Sequence, residues 1–143
     1  MKIGELAQIA QCTVETIRYY EKEGLISEPE RTVANYRQYG ASHVDRLRFI
    51  RNCRALNMTH SEIHALLVLM SKPHDDCGAV NLLLDDHIGH VDTRIAELQL
   101  LKQQLILLRQ QCEIKREIEA CGILNGLAVM ETEVKLERHT HLG

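Results

Sequence analysis

At 143 residues the chain has room for one compact unit, or for a small domain plus a long helix, but not for an added ligand-binding domain. Aromatic residues make up 3% and Trp is absent while Leu, Ile and Val are plentiful, a composition suited to helix-on-helix packing rather than to a β-sandwich core. The net charge of −3 conceals an asymmetry: residues 1–58 hold nine Lys and Arg against seven Asp and Glu, whereas residues 59–143 hold eight against thirteen. A basic N-terminal part permits nucleic-acid binding without proving it, since binding needs a local patch rather than a basic protein. No apolar run reaches the eighteen or so residues needed to span a bilayer, and Met1-Lys2-Ile3-Gly4-Glu5 is too polar for a secretory signal. A cytoplasmic location with no membrane partner is therefore expected. Five Cys in irregular spacing do not form a disulfide framework, and in a reducing compartment they remain thiols available to metal.

Ile3, Leu6, Ala7 and Ala10 share one face at helical spacing and predict a short helix over 3–10. Gln11-Cys12-Thr13 is a tight turn, with Thr13 as N-cap of a second helix from Val14 to about Glu23, closed by Gly24. Two short helices across such a turn are a helix-turn-helix, whose second helix can enter the major groove. Alternating residues over Asn35-Tyr36-Arg37-Gln38-Tyr39 predict a β-ribbon wing. Ser42 is expected to cap a third helix through Val44, Leu47, Ile50 and Cys53. Thr59 and Glu62 form a capping box that opens a fourth helix to Met70. Residues 1–70 thus read as one domain, and 71–78, containing Pro73, as a hinge.

Leu84, Ile88, Val91, Ile95, Leu98, Leu101, Leu105, Leu108 and Cys112 step by threes and fours, a coiled-coil seam with one stammer between Leu98 and Leu101. An apolar stripe of this length requires a partner helix, so a dimerisation helix is expected over 79–113. As one helix it would hold Cys77 and Cys112 roughly 50 Å apart within a chain. Two such helices packed antiparallel would bring Cys77 of one chain beside Cys112 and Cys121 of the other. Residues 114–143 then form a metal-binding loop, a helical turn over 123–130 and a polar tail. The expected fold is mainly α: a winged helix-turn-helix domain, a long antiparallel coiled-coil dimerisation helix and a short C-terminal metal-binding segment.

Cys12, in a turn, and Cys53, on an apolar helix face, read as packing residues. Cys77 follows two aspartates at a helix start, where the dipole favours a thiolate. Three thiolates without an evident fourth protein ligand suit Cd(II), Pb(II) or Hg(II) better than structural Zn(II). His87 and His90, at i and i+3, could with Glu62 or with His139 and His141 form a second site rich in nitrogen and oxygen. The plainer reading makes the two histidines polar flanks of the coil and Glu62 a capping residue.

The motifs Ile3-Gly4-Glu5-Leu6-Ala7, Thr16-Ile17-Arg18-Tyr19-Tyr20-Glu21, Asn35-Tyr36-Arg37, Arg48-Phe49-Ile50, Asp76-Cys77-Gly78 and Cys121-Gly122-Ile123-Leu124 resemble those of the MerR family of metal-responsive transcription regulators, most closely its cadmium/lead-responsive branch. The resemblance runs nearly end to end. The thiol spacings of 35 and 9 residues are shared with the family's mercury sensors, whereas Glu113 departs from the Cys pair of its zinc sensors. The resemblance implies DNA contacts from Arg18, Tyr19, Tyr36, Arg37 and Tyr39, and a homodimer on a palindromic operator. It further implies that metal binding at Cys77, Cys112 and Cys121 distorts promoter DNA so that RNA polymerase can use it. Cd(II) or Pb(II) is then the effector and the regulated genes confer heavy-metal resistance, with a Hg(II)- or Zn(II)-responsive regulator as alternative. A metal-sequestering coiled-coil protein is the rival from another class. No nucleophile and base pairing is evident, so an enzyme is not expected.

Overall fold

The computed structural model describes residues 1–132. It divides into two compact units, Met1–Leu83 and a second that begins at Leu84.

In the first unit α1 (Ile3–Ala10) and α2 (Val14–Lys22) form the helix-turn-helix, followed by the wing strands β1 (Glu30–Arg31) and β2 (Arg37–Gln38), then α3 (Ala41–Ala55) and α4 (His60–Met70). Helix α1 packs on both α2 and α3. Leu6, Ile17, Leu25, Ile50 and Ile63 are fully buried between them. Burial of each such side chain contributes roughly 1.5–3 kcal/mol before conformational entropy is subtracted. The turn is built by backbone chemistry as much as by its cap. Gln11 adopts a left-handed φ of 55°, and the Cys12 N–H donates back to the Ala7 carbonyl at 3.0 Å. That closes α1 one residue before the Thr13 hydroxyl accepts from the Thr16 N–H at 3.1 Å and opens α2. The same device recurs at Gly24 (φ 74°) after α2 and at Asn57 (φ 60°) after α3. There Leu25 donates to the Tyr20 carbonyl and Met58 to that of Cys53.

The wing is an antiparallel ribbon of two short strands, with Glu30 opposite Gln38 and Arg31 opposite Arg37. Its loop closes when the Thr32 hydroxyl accepts from the Tyr36 N–H and Asn35 takes φ 65°. The cap of α3 differs from the expectation: Ser42 lies inside the helix, and the Gly40 N–H donates to Nδ1 of His43 at 3.1 Å. A buried imidazole replaces the hydroxyl because its other nitrogen meets the Ser27 carbonyl at 3.2 Å, which fastens α3 to the segment after α2. Helix α4 opens as expected: the Thr59 hydroxyl accepts from the Glu62 N–H and the Glu62 carboxylate from the Thr59 N–H, both at 3.1 Å.

Helix α5 (Gly78–Arg109) runs for 32 residues, about 48 Å at the α-helical rise. Its predicted seam faces solvent, with Ile88, Val91, Ile95, Leu98, Leu101 and Leu105 between 36% and 56% exposed. A 3₁₀ turn (Ile118–Ala120) and α6 (Gly122–Val129) follow. Among the described residues no helix is long and apolar enough to cross a membrane.

Candidate nucleic-acid interface and thiol centre

On α2 the Thr13 cap and the buried Ile17 fix the rotation of the helix, which leaves Arg18 and Tyr19 exposed. Tyr19 Oη lies 3.3 Å from Nδ1 of His60, the first residue of α4, and the Tyr20 ring packs edge-on to the same imidazole. Burial, reinforced by Arg54, holds His60 below its ordinary value, so near neutral pH its ring is uncharged and Nδ1 can accept the tyrosine proton. Nothing in the sequence marks His60, which only the spatial proximity of α2 and α4 reveals.

In the wing Tyr36 and Arg37 are exposed, but Tyr39 is 2% exposed. That corrects its expected place among DNA-facing side chains: its ring packs edge-on against His43 and its hydroxyl donates to Glu21. Burial first, then the Glu21 carboxylate, push its phenol up to about 12. Glu21 also pairs with Arg37, Nη1 to Oε2 at 3.7 Å. Of the remaining arginines, Arg51 donates to the Gln11 side chain at 3.1 Å and Arg54 to the Met58 carbonyl at 2.6 Å, so both serve helix ends. Cys12 and Cys53 have their thiols pushed up by burial, which disfavours the thiolate needed for metal and fits packing.

Cys77 is exposed and immediately precedes α5, its carbonyl accepting from the Asn81 N–H at 3.0 Å while the Asp76 carboxylate caps Gly78 at 2.9 Å. In the second unit the structure brings Cys112 and Cys121 together. Cys112 lies past the end of α5 rather than on its seam, because the chain turns at Gln110 and Arg109 Nη1 donates to the Cys112 carbonyl at 2.7 Å. Cys121 precedes α6. The Leu124 backbone amide, aided by that of Ile123, the Cys112 thiol and Arg116, holds it below the usual thiol range against the opposing effect of desolvation. These two sulfurs, one of them acidified, fit a soft divalent ion.

The fold-back needs a glycine at position 122, whereas Gly126 faces only the end of a side chain. A Cβ on Gly122 would lie 2.0 Å from the Gln111 carbonyl oxygen, and one on Gly126 2.4 Å from the Gln111 side-chain oxygen. Of the other candidates, Glu62 is engaged with Thr59, and the His87 and His90 rings stand perpendicular at 6.3 Å on α5. His139 and His141 lie outside the described residues.

Comparison with known proteins identifies the family. The profile of the "MerR HTH family regulatory protein" family matches residues 1–68, and that of "MerR, DNA binding" residues 44–108. An HTH-type transcriptional regulator, a ZntR homolog of Haemophilus influenzae, is 51% identical over 111 residues, 78% of this chain and 82% of that one. The crystal structure of the transcription regulator PbrR691 from Ralstonia metallidurans in complex with lead(II) is 49% identical with a TM-score of 0.79, covering 89% of this chain and 98% of that one. The Bacillus megaterium MerR regulator in complex with mercury(II) is 31% identical with a TM-score of 0.69, covering 90% and 99%. The chain belongs to the MerR family, as a metal-responsive, DNA-binding transcription regulator and not an enzyme.

Proposed function

We propose that the protein is a homodimeric, cytoplasmic sensor of Cd(II) or Pb(II) that activates heavy-metal resistance genes. The observation that carries the reading is the pair of Cys112 and Cys121 at the start of α6, where amide N–H groups stabilise the thiolate. The similarity to a lead(II)-bound regulator supports the choice of ion. Cys77, at the far end of a 32-residue helix in sequence, completes the site from the partner protomer. The solvent-facing apolar seam of α5 is the surface we assign to the antiparallel coiled coil. The similar mercury(II)-bound regulator favours Hg(II) as the second reading. His87 and His90 are the nitrogen donors we assign to a further, harder ion.

The dimer sits on a palindromic operator through Arg18, Tyr19, Tyr36 and Arg37, most of whose contacts are to phosphate and set register. Metal binding favours one arrangement of the two DNA-binding domains. The difference in affinity between arrangements offsets promoter distortion, which costs on the order of 1–10 kcal/mol, and makes the promoter usable by RNA polymerase.

The test is metal titration of Cys77→Ser and Cys112→Ser homodimers and of their mixed dimer, with transcription measured alongside. Each homodimer is expected to lose tight Cd(II) and Pb(II) binding, and the mixed dimer to regain one site, since one end then holds an intact set. Homodimers that keep their metal, or mixed dimers that recover none, would count against the shared site. Transcription with each ion in turn ranks Cd(II), Pb(II) and Hg(II).

A further inference from the structure

We propose that Glu21 is a positioning residue for DNA binding, a carboxylate on the recognition helix that aims the guanidinium of Arg37 in the wing. The inference rests on the reading that Arg37 contacts the duplex and adds how it is held there.

Glu21 sits one helical turn beyond Arg18 on α2, with its side chain only 11% exposed. One oxygen accepts from the buried Tyr39 hydroxyl, and the other lies 3.7 Å from Arg37 Nη1. Arg37 also faces the Tyr39 hydroxyl on its inner side, while its side chain as a whole remains 47% exposed, so the pairing holds the inner edge of a guanidinium that is otherwise half open to solvent. Tyr39 is not free to follow the carboxylate: its backbone exchanges hydrogen bonds with Met1 in both directions, at 2.7 and 2.8 Å, and its ring lies against His43. The carboxylate is thus held from the body side and presents a fixed oxygen to the wing. Glu28 and Arg31 line the same small hollow, but Arg31 is turned to the Asn35 carbonyl at 3.2 Å. Glu21 is the carboxylate paired with Arg37.

A two-stranded ribbon with both strands exposed has little packing of its own to set where its arginine points. Arg loses much side-chain freedom when it grips a phosphate, and a partner that restricts it beforehand reduces that loss. The pairing also ties the wing to the helix that enters the groove, so the two DNA-facing elements keep one relative orientation. An anion close to a DNA-binding surface would by simple electrostatics repel phosphate. The positioning role therefore predicts the opposite sign from the charge alone.

The measurement is anisotropy of a labelled mixed-sequence duplex over a salt series, with the full-length dimer carrying Glu21→Gln, Arg37→Ala or both. Gln keeps length and an acceptor for the Tyr39 hydroxyl, and thermal melting reports whether the fold is kept. Glu21→Gln is expected to weaken binding about five- to tenfold with a smaller salt slope and little change in melting temperature. In the Arg37→Ala background it is expected to have no further effect, because it acts through that arginine. Tighter or unchanged binding in Glu21→Gln would overturn the inference, as would a loss that adds in full to that of Arg37→Ala. If Arg37→Ala itself leaves affinity and salt slope intact, the DNA-contact reading fails first and takes the inference with it.

Discussion

His60 stands where α4 meets Tyr19 and Tyr20 of α2, beside the surface proposed to face DNA, and its titration ties the stability of that contact to pH. Facing it are the Tyr19 hydroxyl, the Tyr20 ring, Arg54 and Glu23, with burial the largest influence and lowering its affinity for protons. The unfolded chain takes up the proton first, near the ordinary value of 6.5, and the folded chain only at lower pH. Its contribution is therefore complete above about pH 6.5 and is lost as the pH falls through the folded value. A His60→Gln variant, which cannot titrate but keeps an acceptor for Tyr19, should melt at a temperature that falls less than that of the native protein between about pH 7 and pH 5. Parallel profiles for the two proteins would exclude the imidazole as a source of acid sensitivity.

At the scale of elements, the second unit depends on a close approach. The Gln111 carbonyl occupies the space a side chain at position 122 would need, and it is backbone, so it cannot swing aside. At position 126 the obstacle is the end of the Gln111 side chain, which can. Gly122→Ala should thus displace α6 from the end of α5 and weaken Pb(II) or Cd(II) binding by about tenfold or more, whereas Gly126→Ala should be tolerated. Circular dichroism of both variants should show α5 intact. Equal metal affinity in Gly122→Ala and the native protein would show that the approach does not shape the site. What was legible in advance divides along the same line. The caps at Thr13 and at Thr59 with Glu62 were readable because their partners lie three residues away. The His43 cap was not, since choosing an imidazole over Ser42 depends on the Ser27 carbonyl sixteen residues earlier. The resemblance gave Tyr36 and Tyr39 one role, yet three residues apart on an extended ribbon they point to opposite faces, and the body of the domain lies against Tyr39. Glycines in a chain signal backbone freedom, so the contact that constrains Gly122 could not be read without the fold-back that creates it.

For the whole molecule, the periodicity of α5 was the most readable feature, because a seam of Leu, Ile and Val repeats over many turns and survives errors at any one position. In this chain it is solvent-facing from Ile88 to Leu105, which no single copy can relieve. If a second copy covers it, unfolding includes dissociation, and the melting temperature should rise with protein concentration across a roughly hundredfold range. A melting temperature independent of concentration, in a range where mass measurement shows dimers, would separate folding from assembly. The seam's chemistry carries one more implication. From Leu84 to Leu108 its residues are aliphatic, with no polar side chain among them to reward one register or one companion over another. Discrimination among similar chains in one cell must then fall to what borders the stripe, including Arg94 and Glu97, which already bond to each other at 3.3 Å along the same helix. If the stripe pairs as proposed, fidelity of pairing rests on a few solvated charges, and coexpressed relatives with a comparable stripe would form mixed assemblies, each carrying two unlike DNA-reading heads.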